Sequence, residues 1–193
     1  SMKRLQYNIQ TDGSIIGTDI SPDGGKVAIA SEYVNVFDLE TGRVERMPQS
    51  STAIFVDFSP DGQSLLMTTA TGISRMSLES GAVVEILVSS EGGPRASWID
   101  NERFLYEDGQ SVYSSSITSG LGRQVVRTDS ASGEYDLDYP VILDDGKTVM
   151  ATAEYRDAPS KIGFWDLESG ENRGYLDIPG YRAQLFGDGH IVF

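Results

Sequence analysis

Side chains that carry acid–base, nucleophilic or metal chemistry are few in this sequence. His190 is the only histidine among 193 residues, and there is no cysteine. A Ser-His-Asp triad would depend on His190, which follows Asp188-Gly189 at the start of a predicted strand. A turn histidine is therefore a better interpretation than a catalytic base. Ordinary zinc sites are excluded because they need three or four histidine, cysteine or carboxylate ligands, with at most one or two carboxylates among them.

Carboxylates are the other candidate metal ligands. Oxygen-rich sets suit calcium, and four aspartates lie close together in the sequence: Asp136, Asp138, Asp144 and Asp145. No Asp-x-Asp-x-Asp-Gly loop surrounds them, so solvated loop carboxylates are the main interpretation and a calcium site is a minor hypothesis.

Signatures of self-contained enzymes are absent from the sequence. It contains neither a Gly-x-x-x-x-Gly-Lys-Ser/Thr nor a Gly-x-Gly-x-x-Gly phosphate loop, and no Gly-x-Ser-x-Gly nucleophile elbow. We therefore predict that this chain has no catalytic residues, no metal ligands and no cofactor.

The charge and hydropathy of the chain limit the class of partner. Its 29 acidic residues outnumber 15 lysines and arginines, which gives a net charge of −14. A nucleic-acid backbone or an anionic membrane surface would repel such a chain, so we predict no nucleic-acid partner. No apolar run approaches the ~20 residues that span a bilayer, so no membrane insertion is predicted. The lack of cysteine fits both the cytosol and the periplasm.

Two turn motifs recur in the same register along the chain. Ser21-Pro22-Asp23-Gly24 returns as Ser59-Pro60-Asp61-Gly62, and its aspartate continues as Asp100, Asp145 and Asp188, at steps of 38, 39, 45 and 43 residues. In phase with it, Asp38-Leu39-Glu40-Thr41-Gly42 returns most closely at residues 166–170. Proline presets φ for a turn and glycine adopts positive φ, so both motifs indicate tight turns.

The segments between these turns are predicted to be short strands, called a to d within each repeat, because β-branched and aromatic residues fill them. We predict an all-β fold: a β-propeller of four-stranded antiparallel blades, with four full repeats and a partial fifth. The predicted domain covers residues 1–193, with repeats at about 14–48, 53–89, 95–128, 138–178 and 181–193. Strand a of the fourth repeat is predicted at residues 139–143. A β-sandwich is the alternative, but it would not explain repeats in phase.

Two ways of closing the ring fit this pattern. Residues 5–9 alternate apolar and polar side chains as an additional strand, which could complete the partial fifth repeat and give a five-bladed ring. Alternatively, the chain is a fragment of a six- to eight-bladed propeller whose unfinished blade associates with another chain. Ser1-Met2 is typical of a remnant left after tag removal. We therefore expect that the natural protein can extend in both directions.

The Ser-Pro-Asp-Gly turn, the apolar strand after it and Asp-Leu-Glu-Thr-Gly together resemble the repeats of TolB-like and WD-repeat propellers. Trp165-Asp166 matches the WD dipeptide, whereas three other repeats lack the tryptophan and no Gly-His pair precedes strand a. The TolB-like branch therefore fits better, and the buried hydrogen-bond network of WD repeats is not expected. The resemblance implies an interaction or ligand-binding platform, or the propeller portion of a larger hydrolase or receptor kinase.

The loops that join strands b to c, and each blade to the next, are the predicted binding face. They lie opposite the repeated turns, vary freely between repeats and are rich in tyrosine and arginine, which are enriched in interface hot spots. The candidate binding residues are Tyr33, Tyr106, Asp108, Tyr135, Tyr155, Arg156, Asp157, Tyr181 and Arg182. We predict a non-catalytic scaffold for a protein or peptide partner. The alternative function is the propeller part of a larger enzyme or receptor kinase.

Overall fold

The computed structural model describes residues 13–48, 50, 53–88, 93–127, 135–155, 159–177, 184–185 and 191–192. Tyr135 and the last two pairs are described by their backbone alone. The strands are β1 (Gly17–Ile20), β2 (Lys26–Ala30), β3 (Val34–Asp38), β4 (Val44–Met47), β5 (Ala53–Phe58), β6 (Ser64–Thr69), β7 (Gly72–Ser77), β8 (Val83–Val88), β9 (Ala96–Trp98), β10 (Arg103–Glu107), β11 (Ser111–Ser116), β12 (Gly122–Arg127), β13 (Tyr135–Ile142), β14 (Thr148–Tyr155), β15 (Lys161–Asp166), β16 (Asn172–Asp177), β17 (Gln184–Leu185) and β18 (Ile191–Val192).

The first sixteen strands form four separate antiparallel sheets. Each sheet contains four strands that are consecutive in sequence: β1 to β4, β5 to β8, β9 to β12, and β13 to β16. We call these sheets blades 1 to 4. β17 and β18 pair with each other as a hairpin. The predicted all-β architecture of four-stranded antiparallel blades is confirmed.

The turn between the first two strands of a blade is held by its own side chains. In blade 1, the Ser21 hydroxyl donates to Asp23 (2.6 Å), and the same carboxylate accepts the Gly25 N–H (2.9 Å). Blade 2 repeats this pattern: Ser59 donates to Asp61 at 2.6 Å. The glycine that follows the aspartate has φ near 70° in both turns, a conformation that other residues rarely adopt. These bonds explain why the motif recurs.

The turn between the last two strands of a blade uses an equivalent carboxylate. Asp38 accepts the N–H groups of Glu40 and Thr41, and Asp166 accepts those of Glu168 and Ser169. A backbone bond links the two turns of each blade, as from Leu39 N–H to the Gly25 carbonyl (2.9 Å). Both kinds of turn therefore lie on one face, the turn face. The described loops between the second and third strands of a blade, such as residues 31–33, lie on the opposite face, the loop face, as predicted.

These turn carboxylates should make the propeller sensitive to acid. Hydrogen bonds from Ser169 lower the pKa of Asp166 to about 2, whereas an unfolded aspartate titrates near 4 (about 3.9). The stability from this contact is present above pH ~4 and is lost as the pH falls through the folded pKa. We expect the midpoint of urea unfolding to decline between pH 4 and 2. Asp166→Asn should flatten that decline, and an unchanged slope in the variant would contradict this role.

The core lies between neighbouring blades. Ala28, Val34, Leu65 and Met76 belong to the apolar cluster shared by blades 1 and 2, and each is fully buried. Similar clusters join blade 2 to blade 3 and blade 3 to blade 4. In blades 1, 2 and 4 the second strand is buried on both faces over most of its length, as its apolar residues predict. Each described blade thus depends on a neighbour to cover its apolar faces.

The strand boundary that differs most from the sequence prediction is the start of β13. β13 begins at Tyr135 rather than at residue 139. A β-bulge between Asp138 and Val141 interrupts the pairing with β14, and β13 pairs with β14 on both sides of this bulge. The predicted N-terminal strand at residues 5–9 lies outside the described residues, so closure of the ring stays a prediction. Within the described part of the chain, no helix has the length and apolar character needed to cross a bilayer.

Candidate functional site

The first strands of successive blades lie side by side. β1 contacts β5, β5 contacts β9, and β9 contacts β13, so these four form the innermost layer of the described blades. We call them the inner strands. Because their repeats are in register, side chains at equivalent positions form rows that run from one blade to the next.

The row nearer the turn face is polar in three of the four blades. Asp19 accepts the backbone N–H of Phe58 in blade 2 (2.7 Å), and Asp57 accepts that of Trp98 in blade 3 (2.8 Å). Ser97 continues the row by donating to the Pro140 carbonyl of blade 4. Each polar side chain therefore binds the inner strand of the next blade. Blade 4 has Val141 at this position.

The two carboxyl groups of this row also contact each other. A side-chain hydrogen bond joins Asp19 to Asp57. Burial, followed by the negative charge of Asp19, raises the pKa of Asp57 to about 8, and burial also raises the pKa of Asp19. A small part of Asp57 is accessible to water, although protein crowds its carboxyl group. The pair therefore holds a proton at neutral pH.

The neighbouring hydroxyl does not turn this pair into a nucleophile–base arrangement. Ser97 donates its hydroxyl hydrogen to the Pro140 carbonyl rather than to a carboxylate. The chemistry that the geometry supports is uptake and release of one proton.

The row nearer the loop face centres on Arg95. Its guanidinium carbon lies 4.6 Å from the ring centroid of Phe55 in blade 2 and 3.6 Å from that of Tyr139 in blade 4. The same group forms a 2.9 Å ion pair with Asp138, and both side chains are only about one-fifth exposed. The buried Nη1 atom makes no hydrogen bond, so its pairing with Asp138 is mainly electrostatic. Arg95 thus connects three blades.

Tyr139 has an unusual backbone conformation. Its φ of 54° is in the left-handed region, which a bulky side chain adopts only at a cost of about 1 kcal/mol or more. The β13 bulge next to Pro140 imposes this conformation, and the tyrosine ring lies over Arg95 as a result. In blade 1 the equivalent residue is Gly17, where a Cβ would come 2.7 Å from the Ile54 carbonyl oxygen.

The predicted loop-face residues are distributed over separate blades. Tyr33 is half-buried, with the Arg46 guanidinium 3.8 Å from its ring centroid. Tyr106 lies within β10 and stacks on Tyr113 at 5.1 Å, and its hydroxyl approaches Gly122. Asp108 is exposed and accepts the Ser111 N–H (3.0 Å), whereas Tyr155 ends β14 and packs on the core of blades 3 and 4. Tyr135 begins β13. The remaining predicted residues lie outside the described residues: Arg156, Asp157, Tyr181 and Arg182.

The carboxylates proposed for calcium have separate surroundings. Asp138 pairs with Arg95, and Asp145 accepts the N–H groups of Lys147 and Thr148 within its own turn. Asp136 and Asp144 are exposed. In the ranges that the structure describes, no three acidic or imidazole groups lie close enough to hold a metal ion. His190 lies outside those ranges.

The sequence matches no protein-family model, and comparison with curated proteins gave no match either. Solved structures do match. TolB from Acinetobacter baumannii superposes with a TM-score of 0.76 at 20% identity, over 96% of this chain and 49% of TolB. The chain has a TolB-like β-propeller fold. The Cps50 (Swd1) β-propeller domain of Myceliophteria thermophila gives a TM-score of 0.74 at 15% identity, over 96% of this chain and 62% of that one.

The TolB-like propeller also resembles part of an enzyme. Kuenenia stuttgartiensis hydrazine synthase gives a TM-score of 0.75 at 18% identity, covering 97% of this chain and 57% of that chain. The chain spans about half the length of the TolB and hydrazine synthase chains that it matches. At these identities the likeness establishes the fold, and function must be argued from the sites.

Sequence reasoning did not identify the inner rows, although part of the signal was present. Asp19 and Asp57 each stand four residues before the turn aspartate of their repeat, at Asp23 and Asp61. That repetition marked the position as equivalent in two blades. The position of Arg95 between two rings carried no such signal, because it depends on the bulge in β13.

Proposed function

We propose that this propeller is a non-catalytic scaffold that binds a protein or peptide at its loop face. The observation that supports it most is the Tyr33–Arg46 pair, in which the guanidinium carbon of an exposed arginine lies 3.8 Å from the ring centroid of a half-buried tyrosine. An aromatic ring and a guanidinium held together in this way supply apolar area and hydrogen-bond donors with little loss of side-chain freedom.

The turn face is less suited to binding. Its carboxylates are engaged within their own turns, as Asp23, Asp38 and Asp61 show, and hydrogen bonds lower the pKa of each. A partner would have to compete with these local bonds. The loop face, by contrast, carries Tyr33, Asp108 and the end of β14, each in a different blade, on segments whose sequences differ from blade to blade.

The proposal predicts that loop-face substitutions weaken partner binding. Proteins from the source lysate are retained on the immobilised chain, identified and titrated individually. Tyr33→Ala combined with Arg46→Ala should lower the affinity for a specific partner at least about tenfold, as expected for hot-spot residues. Arg43→Ala is the matched control, because Arg43 is exposed on the turn face just before the same strand, β4. Equal loss in both variants, or in neither, would contradict binding at the loop face.

A second candidate function is that the chain is the propeller portion of a larger protein whose chemistry lies elsewhere. It is favoured by the length of the matched structures: the alignment covers only 49% of the TolB chain and 57% of the hydrazine synthase chain. The coding sequence of the gene distinguishes the two candidates. A hydrolase or kinase domain encoded in the same reading frame would support the second, and a reading frame restricted to propeller repeats would count against it.

A further inference from the structure

The carboxyl pair of Asp19 and Asp57 is fixed at the joint between blades 1 and 2. Asp19 belongs to blade 1 but is bound to the Phe58 N–H of blade 2, and Asp57 is bound in turn to the Trp98 N–H of blade 3. Each side chain is therefore held by a neighbouring blade. Neither carboxyl group can rotate away from the other without breaking a bond between blades.

We propose that Asp19 and Asp57 form a proton-dependent latch between the first two blades. With one proton between them, the two carboxyl groups are joined by a hydrogen bond. When that proton is lost to solvent, two carboxylates are left in contact. Their repulsion is relieved when the bond from the Phe58 N–H to Asp19 breaks and β1 separates from β5, because that bond holds Asp19 against Asp57.

Among the residues that the structure describes around the pair, no positive charge compensates the second negative charge. Among the strands packed against β1 and β5, β6 and β9 carry no ionisable side chain, and β2 carries Lys26 at its turn end. Lys26 acts on the carboxylates of the turn face. Arg95 precedes β9 by one residue and is already paired with Asp138. The charge on the pair itself therefore governs the latch.

The direction of the pH effect follows from the folded and unfolded proton affinities. An unfolded aspartate releases its proton near pH 4, whereas burial and Asp19 raise the pKa of Asp57 to about 8. The folded chain thus binds the additional proton between these values. Stability falls as the pH rises across this interval, and the joint loosens as the pH passes the folded pKa.

Trp98 provides a direct reporter of the latch. Its backbone N–H donates to the Asp57 carboxyl group (2.8 Å), and its indole N–H donates to the Asp57 carbonyl (3.0 Å). In a Trp165→Phe background, where Trp98 is the one remaining tryptophan, we expect its emission maximum to shift with a midpoint near pH 8. Opening of the Phe58 amide, measured by hydrogen exchange and corrected for base catalysis, should increase about tenfold across the same pH range.

Amide substitutions separate the latch from a general pH effect. In Asp57→Asn or Asp19→Asn, the amide N–H replaces the shared proton while its oxygen can still accept the backbone N–H, so both variants should lose the transition near pH 8. Asp61→Asn, at an exposed turn four residues after Asp57, should keep it. The latch is refuted if the unsubstituted pair shows no transition between pH 6 and 10, or if the transition persists in either amide variant. Where an amide variant fails to fold, the Trp98 emission titration of the unsubstituted pair still tests the latch, because the absence of a transition between pH 6 and 10 refutes it.

Discussion

Replacing Gly163 with alanine is expected to destabilise the propeller by about 2–4 kcal/mol. Gly163 lies in β15 two residues before Trp165, whose ring crosses over it: a Cβ on Gly163 would come 2.0 Å from Trp165 Cη2. The tryptophan is 4% exposed and packs in the core of blades 3 and 4, edge-on to Tyr175. The new methyl group must displace this ring. Urea unfolding of the variant measures the loss.

A double substitution tests whether the ring causes the cost. Trp165→Leu is destabilising by itself, but it removes the group that a methyl at Gly163 would meet. In that background Gly163→Ala should cost less than about 1 kcal/mol or even stabilise, because glycine within a strand costs roughly 0.5–1 kcal/mol relative to alanine. Gly163 carries no positive φ, so alanine is not strained there. Additive costs of the two substitutions would rule out the proposed contact.

The blades could be predicted from sequence because their turns are encoded locally. Each turn aspartate accepts the N–H of a residue two or three positions later, as at Asp23, Asp61 and Asp166. The motif therefore contains both the aspartate and the residue that it binds. The apolar run of β6 likewise reflects burial on both faces of one strand. Such features need no knowledge of what lies in the next blade.

The inner rows depend on contacts between residues about 40 positions apart. Asp19 accepts the Phe58 N–H, and Asp57 accepts the Trp98 N–H. The hydrogen-bond partner of each aspartate therefore lies in another repeat. In blade 4 the bulge between Asp138 and Val141 changes the register, which a repeat-based alignment does not reveal. The sequence pattern accordingly predicts a start for β13 that is four residues too late. The predicted binding role of the loop face stays a prediction.

Replacing Arg95 with alanine should cost roughly 2–3 kcal/mol, because one side chain supplies two cation–π contacts and a partly buried ion pair. Its loss leaves the Asp138 carboxylate without the counter-ion that lies 2.9 Å away. It also removes a positive charge that lowers the pKa of Glu107, whose pKa is raised by burial and by Asp138. Two carboxyl groups of blades 3 and 4 would then repel each other. Urea unfolding at pH 7 measures the cost.

The exposed ion pair of blade 3 is the matched control. Arg103 and Asp100 approach to 2.8 Å, but both are more than 40% exposed, so Arg103→Ala should cost less than about 1 kcal/mol. Arg95→Lys should recover part of the stability, since it restores the charge without the flat guanidinium that fits between the two rings. Adding Asp138→Asn to Arg95→Ala should also recover part of the lost stability, because it removes the negative charge that Arg95→Ala leaves unpaired. If Arg95→Ala cost no more than Arg103→Ala, the row at the loop face would contribute nothing to joining the blades, and the strain at Tyr139 would need another explanation.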